Sequence, residues 1–186
     1  MSSFLSPSTQ NEIKEKIFEV PDFPQPGVNF KDITPLVQSP SVYNLVIDKI
    51  TEWAKPKKPD LIVGIESRGF LFAAPLARDL KLGLAIIRKK GKLPRETIMV
   101  KAPNEYALEY FEMHKDALPS PARVIIVDDL IATGSSSISA IDLVKKLGGT
   151  VAGFAAVVEL SFLKGREAIL KAHPDVEILA LVNYEA

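Results

Sequence analysis

Five short, mostly apolar runs constrain this chain more than any other feature. They are LIVGI (61–65), LAII (84–87), RVIIVDD (123–129), Val151–Val158 and Val176–Leu181. Each has the length of a strand buried on both faces. Each is far short of the roughly 20 residues that a bilayer-spanning helix needs. Segments with helical spacing lie among them. Gly69–Leu80 suits a helix that Pro75 must kink or start late. Ser135–Leu147 carries Ile138, Ile141, Val144 and Leu147 in register, and Ser41–Trp53 repeats Val42, Leu45, Val46, Ile50 and Trp53 at three- and four-residue steps. Buried strands alternating with helices predict an α/β fold, a parallel twisted sheet flanked by helices. Ligands of such sheets bind beyond the carboxyl ends of the strands. The residues just after each strand are therefore the ones to read for function.

Composition narrows the function classes. The 186 residues suit one domain, with 47% hydrophobic and 25% charged residues. Lys plus Arg and Asp plus Glu both number 23, so the net charge is zero, which argues against non-specific nucleic-acid binding. The absence of cysteine excludes disulfides, thiol catalysis and cysteine metal sites. His114 and His173 lack ligand-like spacing. The N-terminus has neither a secretory nor a transit-peptide pattern, so a cytoplasmic protein without membrane contact is expected.

The remaining segments are less regular. Residues 9–19 read as a short helix with Ile13, Ile17 and Phe18 as its apolar stripe. Prolines at 21, 24, 26 and 35 forbid a long helix between them. Arg88–Lys92 reads as a basic tip after a strand, and residues 93–118 as an excursion such as a hairpin.

The strongest functional signal is VIIVDDLIATGSSS, Val124–Ser137. A buried strand ends in two carboxylates, and a turn of glycine and small hydroxyl residues leads into a helix. The turn, Ala132, Thr133, Gly134, Ser135 and Ser136, offers backbone N–H groups at a helix N-terminus, which suits a phosphate. Neither GxxxxGK[ST] nor GxGxxG is present. Asp128 and Asp129 beside an anion site would repel the ligand unless they receive a ribose diol or face a magnesium ion, directly or through water. A ribose 5-phosphate satisfies both halves. Alone, ATGSS would be only a helix cap; the carboxylate pair directly after the strand makes it a site.

This segment resembles the phosphoribosyl-diphosphate (PRPP) motif of the type I phosphoribosyltransferases. The resemblance implies PRPP and Mg2+ as ligands, displacement of pyrophosphate, and a nitrogenous base joined to C1′ of the ribose. The 6-oxopurine enzymes commonly carry an aspartate in the phosphate turn where this chain has Ala132. PDFPQPGVNFKDITP (21–35), GIESRGFLFAAPLA (64–77), IRKKGKLP (87–94) and VELSFLKGRE (158–167) resemble the adenine-specific members of the family instead.

Several expectations follow from that resemblance. Adenine is the base, and AMP and pyrophosphate are the products. Ser67 and Arg68 receive pyrophosphate, with a cis peptide between Glu66 and Ser67. Arg88 and Lys92 add charge, Arg88 from the interface of a homodimer, where it reaches the pyrophosphate site of the neighbouring subunit. Residues 21–35 form a hood, with Val28, Phe30 and Lys31 on the base and Leu130 on its opposite face. Relatives often have arginine at position 31. Residues 93–118 form a mobile flap within a single domain, 1–186. Glu105 matches the flap carboxylate by standing ten residues before Lys115, and Glu109 stays as the reserve. Two rivals remain, the same fold with another base and a PRPP-sensing regulator without chemistry.

Overall fold

The computed structural model describes residues 4–103 and 109–185. The chain divides into two compact units, Met1–Lys49 and Ile50–Ala186. Among the described residues no helix is long and apolar enough to cross a membrane.

In the first unit α1 (Pro7–Lys14) starts at Ser6, whose side chain accepts from Thr9 N–H. The helix ends earlier than its apolar stripe suggests. Phe18–Val20 forms β1, which pairs antiparallel with β2 (Phe30–Asp32). Pairing with β2 holds these three residues extended, and Pro21 restricts Val20, the last of them, to the extended region. Ile13 and Ile17 are buried, whereas Phe18 is exposed. The proline-rich stretch is thus the connection of a small two-stranded sheet, followed by α2 (Thr34–Gln38) and α3 (Pro40–Ala54).

The second unit holds a seven-stranded sheet. Its strands are β3 (Leu61–Ile65), β4 (Gly83–Lys89), β5 (Thr97–Lys101), β6 (Tyr110–His114), β7 (Arg123–Ile131), β8 (Thr150–Leu160) and β9 (Ile178–Tyr184), in the order β5-β6-β4-β3-β7-β8-β9. β4, β3, β7, β8 and β9 run parallel, as the continuous apolar runs predict. β5 and β6 form an antiparallel hairpin added to the edge at β4, so the excursion at 93–118 contains a hairpin stem. The helices are α4 (Phe70–Leu80), α5 (Ser135–Lys146) and α6 (Gly165–Ala172). α4 runs through Pro75 and forgoes one backbone bond there. The sheet interior is apolar: Ile62, Val63, Val124–Val127 and Phe154–Val158 are all fully buried.

Four strands extend beyond their apolar runs, β8 by Thr150 at one end and by Glu159 and Leu160 at the other. β4 takes in Arg88 and Lys89, and β7 continues past the carboxylate pair to Ile131 because β8 keeps pairing with it. β9 begins and ends later than the run at 176–181.

Gly69 sets how closely the two central strand ends approach. A Cβ there would lie 2.6 Å from the Ile65 carbonyl oxygen, 2.8 Å from that of Val127 and 2.9 Å from Asp128 Cα. All three are backbone atoms that cannot rotate away. Gly69→Ala is expected to cost on the order of 1–3 kcal/mol, read as a lower thermal midpoint by differential scanning fluorimetry. An unchanged midpoint contradicts this packing.

Candidate active site

The order of the strands selects the site. From β3 the chain crosses to β4 on one side, while β7, on the other side, leads to β8 and β9. Ligand crevices in open α/β sheets open at such a reversal, beyond the carboxyl ends. A cavity of about 290 Å³ lies there, lined by residues that follow β3, end β7 and begin α5.

The turn from Ala132 to Ser136 forms one wall. The first N–H groups of α5 have no partner within the helix and stand at its positive end. Gly134 has φ +85°, a left-handed conformation that lets the turn reverse. Its backing is the start of α6. A Cβ on Gly165 would lie 2.2 Å from the Ala132 carbonyl oxygen and 2.9 Å from Gly134 N. Gly165 thus permits the turn its position. Sequence reading placed it only inside the VELSFLKGRE resemblance and gave it no role. Ser135 Oγ donates to the Pro103 carbonyl (3.1 Å) and lies 3.2 Å from Thr133 Oγ1.

Asp128 and Asp129 form the floor, each 5% exposed. Asp129 N–H donates to Asp128 Oδ1 (2.9 Å). Burial pushes the Asp128 carboxyl well above the usual range, and the neighbouring Asp129 adds to the rise. Burial also raises Asp129, against the lowering effect of Arg68. Arg68 Nε lies 2.8 Å from Asp129 Oδ2, an ion pair without the alignment of a hydrogen bond. Leu130 also lines the cavity.

The third wall carries charge. The Glu66–Ser67 peptide is cis. Ser67 is exposed and Arg68 faces the cavity. Glu66 accepts from Lys89 N–H (2.9 Å), pairs with Arg88 Nε (3.2 Å) and also holds the Lys92 ammonium. Burial works to raise the Glu66 pKa, but Lys92, the Lys89 N–H and Arg88 outweigh it and hold the carboxyl below its ordinary value. Arg88 and Lys92 are therefore gathered next to the cavity by a carboxylate that the sequence reading left without a role. Lys89 and Glu109 both line the cavity and pair with each other at 2.5 Å.

The candidate base-binding residues Val28, Phe30 and Lys31 belong to the first unit. Phe30 meets Phe23 edge to face, with centroids 5.2 Å apart. Lys31 is 2% exposed, and its ammonium lies 3.0 Å from Glu19 Oε2. Glu105 lies outside the described residues. No group of three or more His, Cys, Asp or Glu residues gathers as a metal cage among the described residues.

The site can hold an anion at the helix start, a polyol on the carboxylates and a second anion near Arg68 and the basic residues. The phosphoribosyl transferase domain family matches residues 37–185. An adenine phosphoribosyltransferase of Synechococcus sp. is 45% identical over 174 residues, covering 94% of this chain and 99% of the relative. The crystal structure of adenine phosphoribosyltransferase from Rhodothermus marinus superposes with a TM-score of 0.90 at 39% identity, covering 96% of this chain and 100% of that one. That of the Saccharomyces cerevisiae enzyme, complexed with an imino-altritol bisphosphate and adenine, gives 0.86 at 38% identity over 94% and 98% of the two chains. The chain belongs to the phosphoribosyltransferase family, on its adenine phosphoribosyltransferase branch.

Proposed function

We propose that the protein transfers the 5-phosphoribosyl group from PRPP to adenine, giving AMP and pyrophosphate in purine salvage. The observation that carries this reading is one cavity containing a helix-start phosphate turn, two buried carboxylates and Arg68. The 5-phosphate sits on the N–H groups of Ala132–Ser136. The ribose hydroxyls donate to Asp128 and Asp129. The diphosphate leaves toward Ser67, Arg68, Arg88 and Lys92. The C1′–oxygen bond to diphosphate breaks as adenine N9 bonds to C1′. Glu105 takes the base's proton, a general-base role. Val28, Phe30, Lys31 and Leu130 are assigned to adenine through the family resemblance.

The donor set suits Mg2+ carried in on the diphosphate rather than caged by protein. Asp128 and Asp129 would hold it through water, a common mode for an ion that keeps much of its hydration. When bound, Mg2+ neutralises the leaving diphosphate. Positioning and charge stabilisation carry most of the rate. The family reading also brings a cytoplasmic homodimer.

An assay with PRPP, Mg2+ and each of adenine, hypoxanthine, guanine and xanthine tests the activity. AMP and pyrophosphate are expected with adenine alone; turnover of an oxopurine overturns the base assignment. Glu105→Ala is expected to lower kcat on the order of 10²–10⁴-fold, with a much smaller loss for Glu109→Ala. The reverse ranking moves the proton-handling role to Glu109, which pairs with Lys89.

Asp128→Asn separates function from stability. A carboxyl whose folded pKa is raised stabilises the fold below the ordinary aspartate value of 3.8 and loses that contribution as pH rises through the raised value. The asparagine variant removes this loss. Its ligand-free melting temperature is expected to exceed that of the wild type at neutral pH, about 2–4 °C for each kcal/mol relieved. The difference shrinks on acidification. Its kcat/KM for PRPP is expected to fall on the order of 100-fold. A lower melting temperature at neutral pH contradicts the electrostatic account.

A further inference from the structure

We propose that Glu112 is a positioning residue for the transfer reaction, holding the loop after β4 in the shape that presents Arg88 and Lys92 to pyrophosphate. The inference rests on the PRPP reading above. Glu112 is only 4% exposed at the middle of β6, opposite Arg88 of β4 and Met99 of β5. Its Oε1 accepts from both Lys92 N–H and Leu93 N–H at 2.9 Å, and its Oε2 lies 3.4 Å from the Thr97 hydroxyl. A buried acid would ordinarily be costly. Here burial does work to raise the pKa, but the backbone donors of Leu93, Gly91 and Lys92, with Thr97, outweigh it. The carboxylate is held in its charged form by the backbone of one short loop.

That loop has two carboxylates with different tasks. Glu112 gathers the backbone N–H groups, and Glu66 gathers the Arg88 and Lys92 side chains. Arg88 Nη1 also donates to the Lys92 carbonyl oxygen (3.3 Å), so the side chain of one cation depends on the backbone position of the other. Without Glu112, the Lys92 and Leu93 N–H groups lose their acceptor, and the loop is left to the Lys92–Glu66 ion pair and the Arg88–Lys92 carbonyl contact. Glu112 does not line the cavity. It acts only through the loop, on the pyrophosphate half of the site, and not on the phosphate turn.

This selectivity supplies the test. Glu112→Ala is expected to raise the KM for PRPP and weaken binding of magnesium pyrophosphate by about tenfold, the scale of lost hydrogen bonds to a charged acceptor. AMP, which needs the phosphate turn and not the pyrophosphate half, should bind within about twofold of wild type on this reading. Glu112→Gln keeps a carbonyl oxygen able to accept from Lys92 and Leu93, and is expected to recover most of the loss. If the alanine variant is insoluble, Glu112→Asp, which keeps the charge and shortens the reach, is read by the same ratio of pyrophosphate to AMP affinity. Unchanged pyrophosphate affinity overturns the inference, as does equal weakening of pyrophosphate and AMP. A wild-type protein that makes no AMP from PRPP and adenine overturns the function and the inference together. An active wild type with an unaffected variant overturns the inference alone.

Discussion

Two aspartates share the buried end of a hydrophobic strand, and the cost of keeping them there organises the site. Asp128 and Asp129 follow four fully buried residues of β7 and are themselves almost without solvent. Like charges at adjacent positions in a dry environment favour protonation. Arg68 offsets part of the cost for Asp129 and leaves Asp128 with the larger rise. A ligand with hydroxyl donors and a divalent cation would relieve both, so the ligand-free strain is a measure of what the site is built to receive.

The same logic runs along the charged wall. Arg68 lies on Asp129, Arg88 and Lys92 on Glu66, and Lys89 on Glu109. A diphosphate bound as proposed would meet cations already oriented by carboxylates. Orientation before binding lowers the entropy lost on binding, and it also makes the anion compete with an internal partner. Two close backbone approaches fix the frame of the site: at Gly69 the start of α4 meets the ends of β3 and β7, and at Gly165 the start of α6 meets the turn at Ala132 and Gly134.

What was legible in the sequence was local. The parallel strands announced themselves as unbroken apolar runs, and the phosphate turn as a strand, two acids, a glycine turn and a helix within fourteen residues, Val124–Ser137. The reading missed what depends on partners distant in sequence. Glu66 reaches cations 22 and 26 residues away, and Glu112 reaches backbone 19 and 20 residues away. No period or motif links such positions. Phe18–Val20 left the helical stripe for cross-strand pairing with β2, and β7 ran on past its acids because β8 still offered backbone partners. The Lys31 ammonium lies beside Glu19, a partner twelve residues away that no motif named.

The most direct test of the electrostatic account is calorimetric titration of PRPP with Mg2+ into wild type and Asp128→Asn, in buffers of different ionisation enthalpy across about pH 5 to 8. If binding forces the buried carboxyl pair to ionise, the wild type releases more protons than the variant, and the excess is largest below the raised ligand-free pKa and dies away as pH rises through it. Equal proton release by the two proteins at every pH would contradict the claim that the strained carboxylates are what the ligand relieves.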